Sequence, residues 1–466
     1  MNATPLAAMI LSSLALAPLP APAAMPLVPT SPPSLALHAG DVLLHFDPPE
    51  THEFQSLSKD GAPPPAIADY QPSFASQDTW PGALRLTPDY DTTRTHILGN
   101  FFRSFRPETL HVTSLDGARV YQRDVDFVYH EDAGLIANKD GRMKGRVVAR
   151  AKAALQRLDL VQRDTAGRPS VKKGASAWLC PVLPEPDPGC TAVAGIYLAP
   201  WRAARNPHYD QDPGLLAGAS GYAITAREIF LIQPAAPAAT LFPENLATTR
   251  AKLHSGHPLK IAFLGDSITL GAEATRWWED RYDEHSTPWK GRLVHALRTR
   301  FPASTLSVIE AWRGGTPVAY GLEKLPWVLA QQPDLVIVAF GANDADGPAG
   351  GAPRTSVAAF GEALATLAAR SRAAGAEVLF VTPFPLHPWL RNGAAQRLAD
   401  DYIPVLKRTA AREGAAVADV HTDYVNLNTR GIPYWSQNHN WTNHPGDFGH
   451  RVYADTLLRC LAPDPQ

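Results

Sequence analysis

In the second half of the chain, short apolar runs alternate with amphipathic stretches. The runs cover residues 261–264, 306–309, 335–340, 378–381 and, more weakly, 415–418. Between the third and fourth runs, apolar residues recur at helical spacing from Val357 to Leu367, with Ser356 placed to cap the helix and Gly375 to end it. Strands that are apolar on both faces and alternate with helices form a parallel sheet covered on both sides, so this half is predicted to have an α/β fold.

The first apolar run is followed by a candidate nucleophile. Parallel sheets of this kind carry their functional sites at the carboxyl ends of the strands, so the residues after each run are the informative ones. Gly265, Asp266 and Ser267 follow the first run. This order puts a serine hydroxyl on a tight strand-to-helix turn, near the N–H groups and positive dipole of the next helix. Gly-Asp-Ser is also a common turn composition, so the triplet alone does not establish a nucleophile.

The second and third runs are followed by groups that can donate hydrogen bonds. Gly314 and Gly315 follow the second run and permit backbone conformations that turn an N–H into a cleft, although a plain turn explains them equally. Asn343 follows the third run, and its amide can donate to an oxyanion or close an Asx turn. Asp344 beside it is interpreted as structural. The sequence therefore offers two candidate donors at the sheet edge where the serine lies.

A histidine-containing loop lies near the C-terminus. His444 precedes Pro445 in a rigid loop just before a predicted helix start, so its ring can be held beside the strand ends. His450 falls on the following helix and is interpreted as a packing or capping residue. The chain has 16 histidines, and only this position singles out His444 as a candidate base.

Together these four segments resemble the SGNH (GDSL-type) hydrolase family, over residues 260 to 461 and in the family's motif order. The resemblance implies a flavodoxin-like three-layer α/β/α domain with a parallel sheet, which needs neither a metal nor an organic cofactor. Ser267 is implied as the nucleophile and His444 as the general base. The N–H groups of Ser267 and Gly315 and the side-chain amide of Asn343 are implied as the oxyanion hole.

The sequence departs from the family pattern at two places. Glu310 begins the second segment where the family has Asn, and Trp441 stands three residues before the histidine where the family has Asp. A histidine base needs a group that fixes its tautomer and stabilises the imidazolium. The candidates are the Trp441 carbonyl, Asn440, Asn443, Asp423 and Asp447, of which Asp447 is better explained as a helix cap. We hypothesise a Ser–His dyad that is oriented by a backbone carbonyl.

Residues 25–245 are predicted to form an N-terminal antiparallel β-sandwich-like domain, ahead of a catalytic domain over residues 246–466. Short segments rich in β-branched and aromatic residues alternate there with Gly, Pro and Asp clusters. The candidate strands are 41–46, 110–113, 120–121, 126–129, 158–161, 195–198 and 228–232. A Pro/Ala-rich linker at 234–239 separates the two halves. The basic stretch 139–152 is interpreted as a solvated face, with contact to an acidic glycan as the alternative.

The N-terminus and the cysteines indicate export. Residues 1–24 contain no charged side chain, and an apolar run from Leu6 to Ala17 precedes small residues at 21–24. This pattern is typical of a secretory signal peptide, with a disordered Ala/Pro-rich start as the alternative. Cys180 and Cys190 bracket a Pro/Gly-rich loop and are predicted to form a disulfide, while Cys460 is predicted to be a buried thiol on a helix. We therefore expect a periplasmic or secreted protein.

Charge and hydropathy exclude two classes of partner. The formal net charge of −2 argues against binding to nucleic acid or to an anionic membrane surface, both of which favour a basic excess. After the N-terminal segment, no apolar run approaches the length of a membrane span. The oligomeric state is not indicated.

The substrate class is inferred from aromatic residues near the predicted loops. Six tryptophans fall there: Trp277, Trp278, Trp312, Trp389, Trp435 and Trp441. Indole faces suit sugar rings, while core packing explains them equally. Together with export and a separate β-domain, they favour removal of O-acetyl groups from carbohydrate, as the family resemblance also implies. The alternatives are a lipase-like or thioesterase-like hydrolase of longer acyl esters and a catalytically inactive glycan-binding protein.

Two further loop residues are candidates for substrate contact. His387 and Arg391 follow the fourth apolar run. Loops at the carboxyl ends of strands border the site in this kind of sheet. Simple solvent exposure is the alternative interpretation of both residues.

Overall fold

A computed structural model of the chain describes most of the second half and parts of the first. The described residues are 35–39, 42–47, 50–57, 66–67, 84–85, 107–130, 135–198, 229–234, 237–238, 240–277, 279, 281–347, 352–388, 392–439 and 443–463. The predicted signal peptide lies outside them. The chain divides into two compact units: the first contains the described residues up to 234 together with Leu427–Ser436, and the second contains 237–426 and 437–463. The domain limits 25–245 and 246–466 stay predictions.

The first unit is built from short strands that pair mainly in antiparallel orientation. They are β1 (Leu35–Ala39), β2 (Val42–Phe46), β3 (Thr51–Leu57), β4 (Ala66–Ile67), β5 (Leu84–Arg85), β6 (His111–Ser114), β7 (Val120–Tyr121), β8 (Phe127–His130), β9 (Leu135–Lys139), β10 (Val147–Ala154), β11 (Arg157–Arg163), β12 (Pro169–Lys172), β13 (Thr191–Leu198) and β14 (Ile229–Leu231). The sheets run β1–β2, β3–β10–β6–β7, β12–β11–β13–β14 and β4–β9–β5, with β8 also paired to β9. Of the pairs described here, only β4–β9 is parallel. The antiparallel character predicted for this half is confirmed.

An apolar core joins β2 to the sheet that contains β11 and β13. Leu44 and Phe46 of β2 pack in one buried cluster with Val161, Ile196 and Ile229. Successive side chains of a strand point to opposite faces, so β2 contributes every second residue to this core. The cluster therefore packs β2 together with β11, β13 and β14.

Strand β10 is missing from the sequence-based prediction, which interprets residues 139–152 as a basic solvated face. Its side chains alternate, because Ala149 and Ala151 are buried whereas Arg150 and Lys152 are exposed. The Arg150 Nε donates to the Gln55 side chain of β3 at 3.0 Å. The solvated basic face is therefore confirmed, and it is one side of a strand whose other side is buried.

Leu427–Ser436 extends the sheet that ends with β14. Ile232 and Arg430 form an antiparallel bridge there. Gly431 lies so close to β13 that a Cβ on Gly195 would be 1.8 Å from the Gly431 carbonyl oxygen. The chain thus returns to the first unit late in the sequence.

The predicted disulfide between Cys180 and Cys190 is wrong, because no bond joins their sulfur atoms in the structure. The two ends of the Pro-rich loop are held at different heights along β11. Near Cys180 the chain is hydrogen-bonded to Gln156, and near Cys190 it is hydrogen-bonded to Gln162. Gln156 directly precedes β11 and Gln162 lies near its end, so the two anchors are about 20 Å apart along extended chain.

The second unit contains a five-stranded parallel sheet. Its strands are β15 (Leu259–Gly265), β16 (Leu306–Trp312), β17 (Leu335–Ala339), β18 (Glu377–Val381) and β19 (Ala416–Ala418), in the order β16–β15–β17–β18–β19. All five predicted runs are confirmed as strands. In β17, Leu335 and Ile337 point to one face and Val336 and Val338 to the other, and each is at most 1% exposed. Both faces of the sheet are therefore covered, as predicted.

Helices occupy the connections of this sheet. They are α1 (Ala247–Ser255), α2 (Ser267–Leu270), α3 (Trp289–Arg300), α4 (Ala319–Leu329), α5 (Ala342–Ala345), α6 (Val357–Ala373), α7 (Asn392–Arg397), a π-helical turn (Leu398–Tyr402), α8 (Ile403–Glu413), α9 (Val420–Val425) and α10 (Asp447–Leu461). The predicted cap of α6 is confirmed, because the Ser356 side chain accepts from the Ala359 N–H at 3.2 Å. Cys460 is buried on α10 as predicted, and burial raises the pKa of its thiol to about 11.

The strand order determines where a site can form. The chain leaves β15 toward β16 on one side and returns to β17 on the other, the flavodoxin-like 2-1-3-4-5 order. Connections that leave one strand in opposite directions open a crevice at the carboxyl ends of the strands. The residues that follow β15, β16 and β17 meet at this crevice. Within the described part of the chain, no helix is both long and apolar enough to cross a membrane.

Candidate active site

Ser267 is the first residue of α2 and lies directly beyond the end of β15. The Asp266 side chain caps this short helix by accepting from the Ile268 N–H at 2.9 Å. A Cβ at Gly265 would lie 2.0 Å from the Thr269 hydroxyl oxygen, so the turn accepts only glycine there. Ser267 itself is half-buried, so its hydroxyl stands on a rigid turn at the crevice.

His444 reaches this hydroxyl. The His444 Nε2 lies 2.9 Å from the Ser267 Oγ, although the two residues are 177 positions apart. The histidine is 8% exposed, so bulk water is largely kept from its ring. At this distance Nε2 can take the hydroxyl proton, which requires the other ring proton to reside on Nδ1.

A short hairpin presents His444. The His439 N–H donates to the His444 carbonyl at 2.8 Å, and the Gly446 N–H donates to the Gln437 carbonyl at 3.1 Å. These bonds close the two arms, 437–439 and 444–446, against each other. Asn440 and Trp441 lie outside the described residues. The hypothesis that the Trp441 carbonyl orients the histidine therefore stays a prediction.

The two aspartates considered as partners of His444 are engaged elsewhere. The Asp423 carboxylate accepts from the Ala238 N–H at 2.6 Å, from the Thr456 hydroxyl at 2.6 Å and from Arg459. The Asp447 carboxylate accepts from the backbone N–H of Thr275 at 2.6 Å. Asp447 therefore holds a neighbouring loop at the start of α10, and its interpretation as a helix cap is wrong, because Gly446 is the N-cap residue and the helix has no side-chain cap.

Asn343 is held beside the nucleophile by Asp266. Its side-chain Nδ2 donates to the Asp266 Oδ2 at 3.0 Å. One amide hydrogen is used in this bond and the second stays available to a ligand, because a primary amide has two. Sequence reasoning identified Asn343 but missed Asp266 as its anchor. The available signal was the position of Asp266 directly before Ser267, where a carboxylate can accept hydrogen bonds from groups around the nucleophile.

Gly315 belongs to a loop that touches the nucleophile. A Cβ on the preceding Gly314 would lie 3.8 Å from the Ser267 Cβ. Gly315 has a φ of 71°, a left-handed conformation that favours glycine. Its carbonyl accepts from the Arg354 Nη1 at 2.8 Å, which fixes the peptide plane. The structure thus brings Gly315, Asn343, Ser267 and His444 to one crevice.

Comparison with protein families gives a match over residues 263–452 to the GDSL-like Lipase/Acylhydrolase family. This part of the chain is a GDSL-like hydrolase domain. The match begins within β15 and ends within α10, so it includes all four predicted site residues. No curated protein matches the chain.

Three solved structures resemble part of the chain. An alpha/beta hydrolase enzyme from the metagenome of Lake Arreo, Spain, has 22% sequence identity and a TM-score of 0.36, and the alignment covers 45% of this chain and 97% of that chain. An acetylxylan esterase from Geobacillus stearothermophilus has 20% identity and a TM-score of 0.36, with 44% and 94% covered. The lipase/acylhydrolase from Enterococcus faecalis has 23% identity and a TM-score of 0.33, with 43% and 94% covered.

Asp266 carries an unusual charge environment within the GDSL-like domain. The residue is 4% exposed. Burial raises the pKa of its carboxyl to about 7, with a further increase from nearby Asp344 and an opposing effect of the hydrogen bonds from Ile268 and Asn343. Asp266 therefore changes protonation near neutral pH, next to the nucleophile.

Asp344 is structural, as the sequence predicts. It is completely buried. Its carboxylate accepts from the Val318 N–H at 3.0 and 3.2 Å, and Val318 is the N-cap residue of α4. Burial raises the pKa of this carboxyl. Asp344 thereby ties the segment after β17 to the end of the loop that carries Gly315.

Glu310, at the position where the GDSL pattern expects Asn, is the centre of a polar cluster that is half-buried except for the buried Lys290. Its carboxylate accepts from Lys290, from the Tyr282 hydroxyl and, at 2.8 Å, from the Trp312 indole N–H. The Lys290 ammonium also lies 5.2 Å from the Trp312 ring centroid. Burial favours the neutral acid, but the charge of Lys290 and the three hydrogen bonds outweigh it, so the pKa of Glu310 is lowered. Glu310 thus holds the residue that precedes the Arg313–Gly315 turn.

Two further side chains of the domain support the nucleophile and its base. Trp289 is fully buried, and its indole N–H donates to the Ile268 carbonyl at 2.8 Å. No sequence motif singled it out. His450 caps α3 by accepting from the Trp289 N–H at 3.4 Å, and its Nε2 donates to the Ala272 carbonyl at 3.3 Å. Burial lowers the pKa of His450 to about 4, so it is neutral, and its predicted capping role is confirmed.

The remaining loop candidates separate into four groups. Trp435 packs against Phe230 in the first unit, with ring centroids 5.4 Å apart, so core packing explains it. Trp277 and Trp312 are half-buried. His387 is 1% exposed, so solvent exposure does not explain it, and burial lowers its pKa to about 3. Four other candidates lie outside the described residues: Trp278, Trp389, Arg391 and Trp441.

Proposed function

We propose that the protein is an exported serine esterase that removes O-acetyl groups from carbohydrate through an acyl-Ser267 intermediate. The observation that carries the proposal is the 2.9 Å approach of the His444 Nε2 to the Ser267 Oγ. The GDSL-like hydrolase match over residues 263–452 supports the reaction class. Serine and histidine at this distance form an activated nucleophile, which is the chemistry of acyl transfer.

The first half of the reaction forms the acyl-enzyme. His444 takes the hydroxyl proton as the Ser267 Oγ attacks the ester carbonyl. The tetrahedral oxyanion receives hydrogen bonds from the N–H groups of Ser267 and Gly315 and from the free amide hydrogen of Asn343. The carbon–oxygen bond to the alcohol then breaks, and the alcohol leaves with the proton that His444 carried.

The second half releases the acid. A water molecule gives one proton to His444 while its oxygen attacks the acyl-Ser267 carbonyl, and the same donors stabilise the second oxyanion. Collapse returns the proton to the Ser267 Oγ. One ester and one water become one alcohol and one carboxylic acid. Every proton transfer uses side chains of the described site.

Three features support an acetylated carbohydrate as the substrate. Trp277 follows the nucleophile helix, and Trp312 is the last residue of β16. Both are half-buried, so part of each indole stays accessible to a sugar ring. The antiparallel strands form a separate compact unit, as in enzymes that pair a catalytic domain with an accessory one. The apolar N-terminal segment supports export to where polysaccharides occur.

The substrate test compares acyl length and substrate type. We expect acetate release from acetylated polysaccharides, and faster hydrolysis of an aryl acetate than of an aryl octanoate. Ser267→Ala is the control and should abolish both activities. Faster hydrolysis of the octanoate ester would replace the acetyl assignment with a longer-chain esterase. N-terminal sequencing of the protein recovered outside the cytoplasm tests export, with a start near residue 25 as the expected result.

A further inference from the structure

Glu273 and His439 form a buried pair between the nucleophile loop and the histidine hairpin. The His439 Nδ1 lies 3.3 Å from the Glu273 Oε2, and their side chains are 11% and 3% exposed. Glu273 has a φ of 72°, a left-handed conformation that costs a non-glycine residue conformational energy. Such a conformation persists where surrounding contacts hold it, so the loop is fixed by its neighbours.

The pair is one hydrogen bond away from the catalytic base. His439, which contacts Glu273 through its ring, donates its backbone N–H to the His444 carbonyl at 2.8 Å. On the other side, Glu273 follows Ser267 by six residues, through helix α2 and its Gly271 cap. The contact therefore connects the segment that carries the nucleophile to the segment that carries the base.

Two more contacts attach the same loop to the residues after His444. The Thr275 N–H donates to the Asp447 carboxylate at 2.6 Å. The Ala272 carbonyl accepts from the His450 Nε2 at 3.3 Å. Loop 272–275 is thus held from the hairpin on one side and from helix α10 on the other. The loop that follows the nucleophile helix and the segments on both sides of His444 are therefore hydrogen-bonded to each other.

We propose that Glu273 and His439 are positioning residues, which set the distance between the Ser267 hydroxyl and the His444 ring. This inference rests on the proposed function, because it assigns a purpose to the alignment of that dyad. A displacement of about 1 Å at a reacting centre costs roughly 10²-fold in rate. The pair acts through the hairpin backbone, by way of the hydrogen bond from the His439 N–H to the His444 carbonyl.

The test uses kinetics with an aryl acetate and labelling of Ser267 by a fluorophosphonate. For Glu273→Ala and for His439→Ala we expect kcat to fall about 10- to 10²-fold with KM within about twofold. Labelling of Ser267 should slow by the same factor. Glu273→Gln should recover most of the activity, because the amide oxygen still accepts from His439. The double variant should be no slower than the slower single variant, as expected for two residues that act as one unit.

Arg276→Ala is the matched control. Arg276 lies one residue beyond the same loop, also has a positive φ of 56°, and its ion pair with Glu279 is exposed on the arginine side. Its kcat should be unchanged. Unchanged kcat and labelling in Glu273→Ala and His439→Ala would overturn the inference, as would fully additive losses in the double variant. If the alanine variants do not fold, Glu273→Met and His439→Phe decide by the same kinetics, because they keep most of the side-chain volume and cannot form the contact. Full activity of Ser267→Ala would instead overturn the proposed function itself.

Discussion

The side-chain amide of Asn343 donates to the carboxylate of Asp266 at 3.0 Å. This bond links the end of β17 to the end of β15, and the same carboxylate also caps the helix that begins with Ser267. The residue directly before the nucleophile therefore has two tasks. Asp266 caps the helix that begins with Ser267, and it orients the Asn343 amide, the proposed donor to the oxyanion.

Asp266→Asn should impair catalysis through Asn343. The Ile268 N–H donates to one carboxylate oxygen of Asp266 and the Asn343 amide to the other, so an asparagine would place its own NH2 donor against one of the two. We expect kcat to fall by about 10- to 10²-fold, less than the roughly 10²- to 10³-fold loss expected for Asn343→Ala. The double variant should resemble Asn343→Ala alone. Steady-state kinetics with an aryl acetate measures all three, and additive losses would show that the two residues act independently.

Asp266 should also make stability depend on pH. Its pKa is raised from 3.8 to about 7 in the folded protein. Between these values the folded state keeps the proton while the unfolded state releases it, so the free energy of unfolding should decrease as the pH rises to 7. The decrease attributable to this group is at most about 4 kcal/mol. Urea unfolding at several pH values should show the trend, and Asp266→Asn should weaken it, since Asp344 with its raised pKa contributes in the same direction. A parallel pH profile in the variant would contradict the assignment.

The Glu310 cluster should tolerate removal of both charges better than removal of one. The side chains of Lys290 and Glu310 are 6% and 21% exposed. Glu310→Gln leaves the Lys290 ammonium buried without its counter-charge, and this should destabilise the protein by about 3 kcal/mol. Adding Lys290→Met should restore part of that loss. Thermal unfolding compares the variants, and a double variant less stable than Glu310→Gln would contradict this explanation.

The same cluster has a defined response to acid. The pKa of Glu310 is below its usual 4.5 in the folded protein. Its contribution to stability is therefore present above pH 4.5 and is lost as the pH falls through the lower folded value. The stability difference between wild type and the Lys290→Met, Glu310→Gln variant should thus change as the pH falls from 4.5 through that lower folded value, as wild type loses the contribution of Glu310. Urea unfolding across this range measures the difference, and a constant difference would assign the effect to other groups.

Gly195 should be essential for the packing of the first unit. An alanine Cβ there would be 1.8 Å from the Gly431 carbonyl oxygen, which is a backbone atom and cannot rotate away. We expect Gly195→Ala to lower the free energy of unfolding by about 1–3 kcal/mol or more. Differential scanning calorimetry measures the change. An unchanged unfolding temperature would mean that Leu427–Ser436 can move away from β13 without cost.

The parallel sheet and the reacting pair could be predicted because their signals are local. Each strand from β15 to β19 is an apolar run, since both of its faces are buried. Ser267 is recognisable because it follows an apolar run, and His444 is recognisable because it precedes a helix start. Both belong to short sequence motifs. Strand β10 was harder to recognise, since Arg150 and Lys152 alternate with small buried alanines and give the appearance of a basic loop.

Contacts between distant segments could not be predicted. Glu273 and His439 are 166 positions apart, and neither belongs to a motif. Leu427–Ser436 joins the first unit although it lies between two elements of the GDSL-like domain, and nothing in its composition indicates this. The disulfide prediction failed for the same reason, because the distance between Cys180 and Cys190 is set by how their loop is attached to β11.

The central claim is that Ser267 carries the acyl group during turnover. Rapid acid quench of the protein during hydrolysis of an aryl acetate, followed by peptide mass spectrometry, tests it directly. The mechanism predicts one acetyl group on the peptide that contains Ser267, with no adduct in Ser267→Ala and slower formation in His444→Ala. Ester hydrolysis that continues at the wild-type rate in Ser267→Ala, or an acetyl group on a different residue, would contradict it.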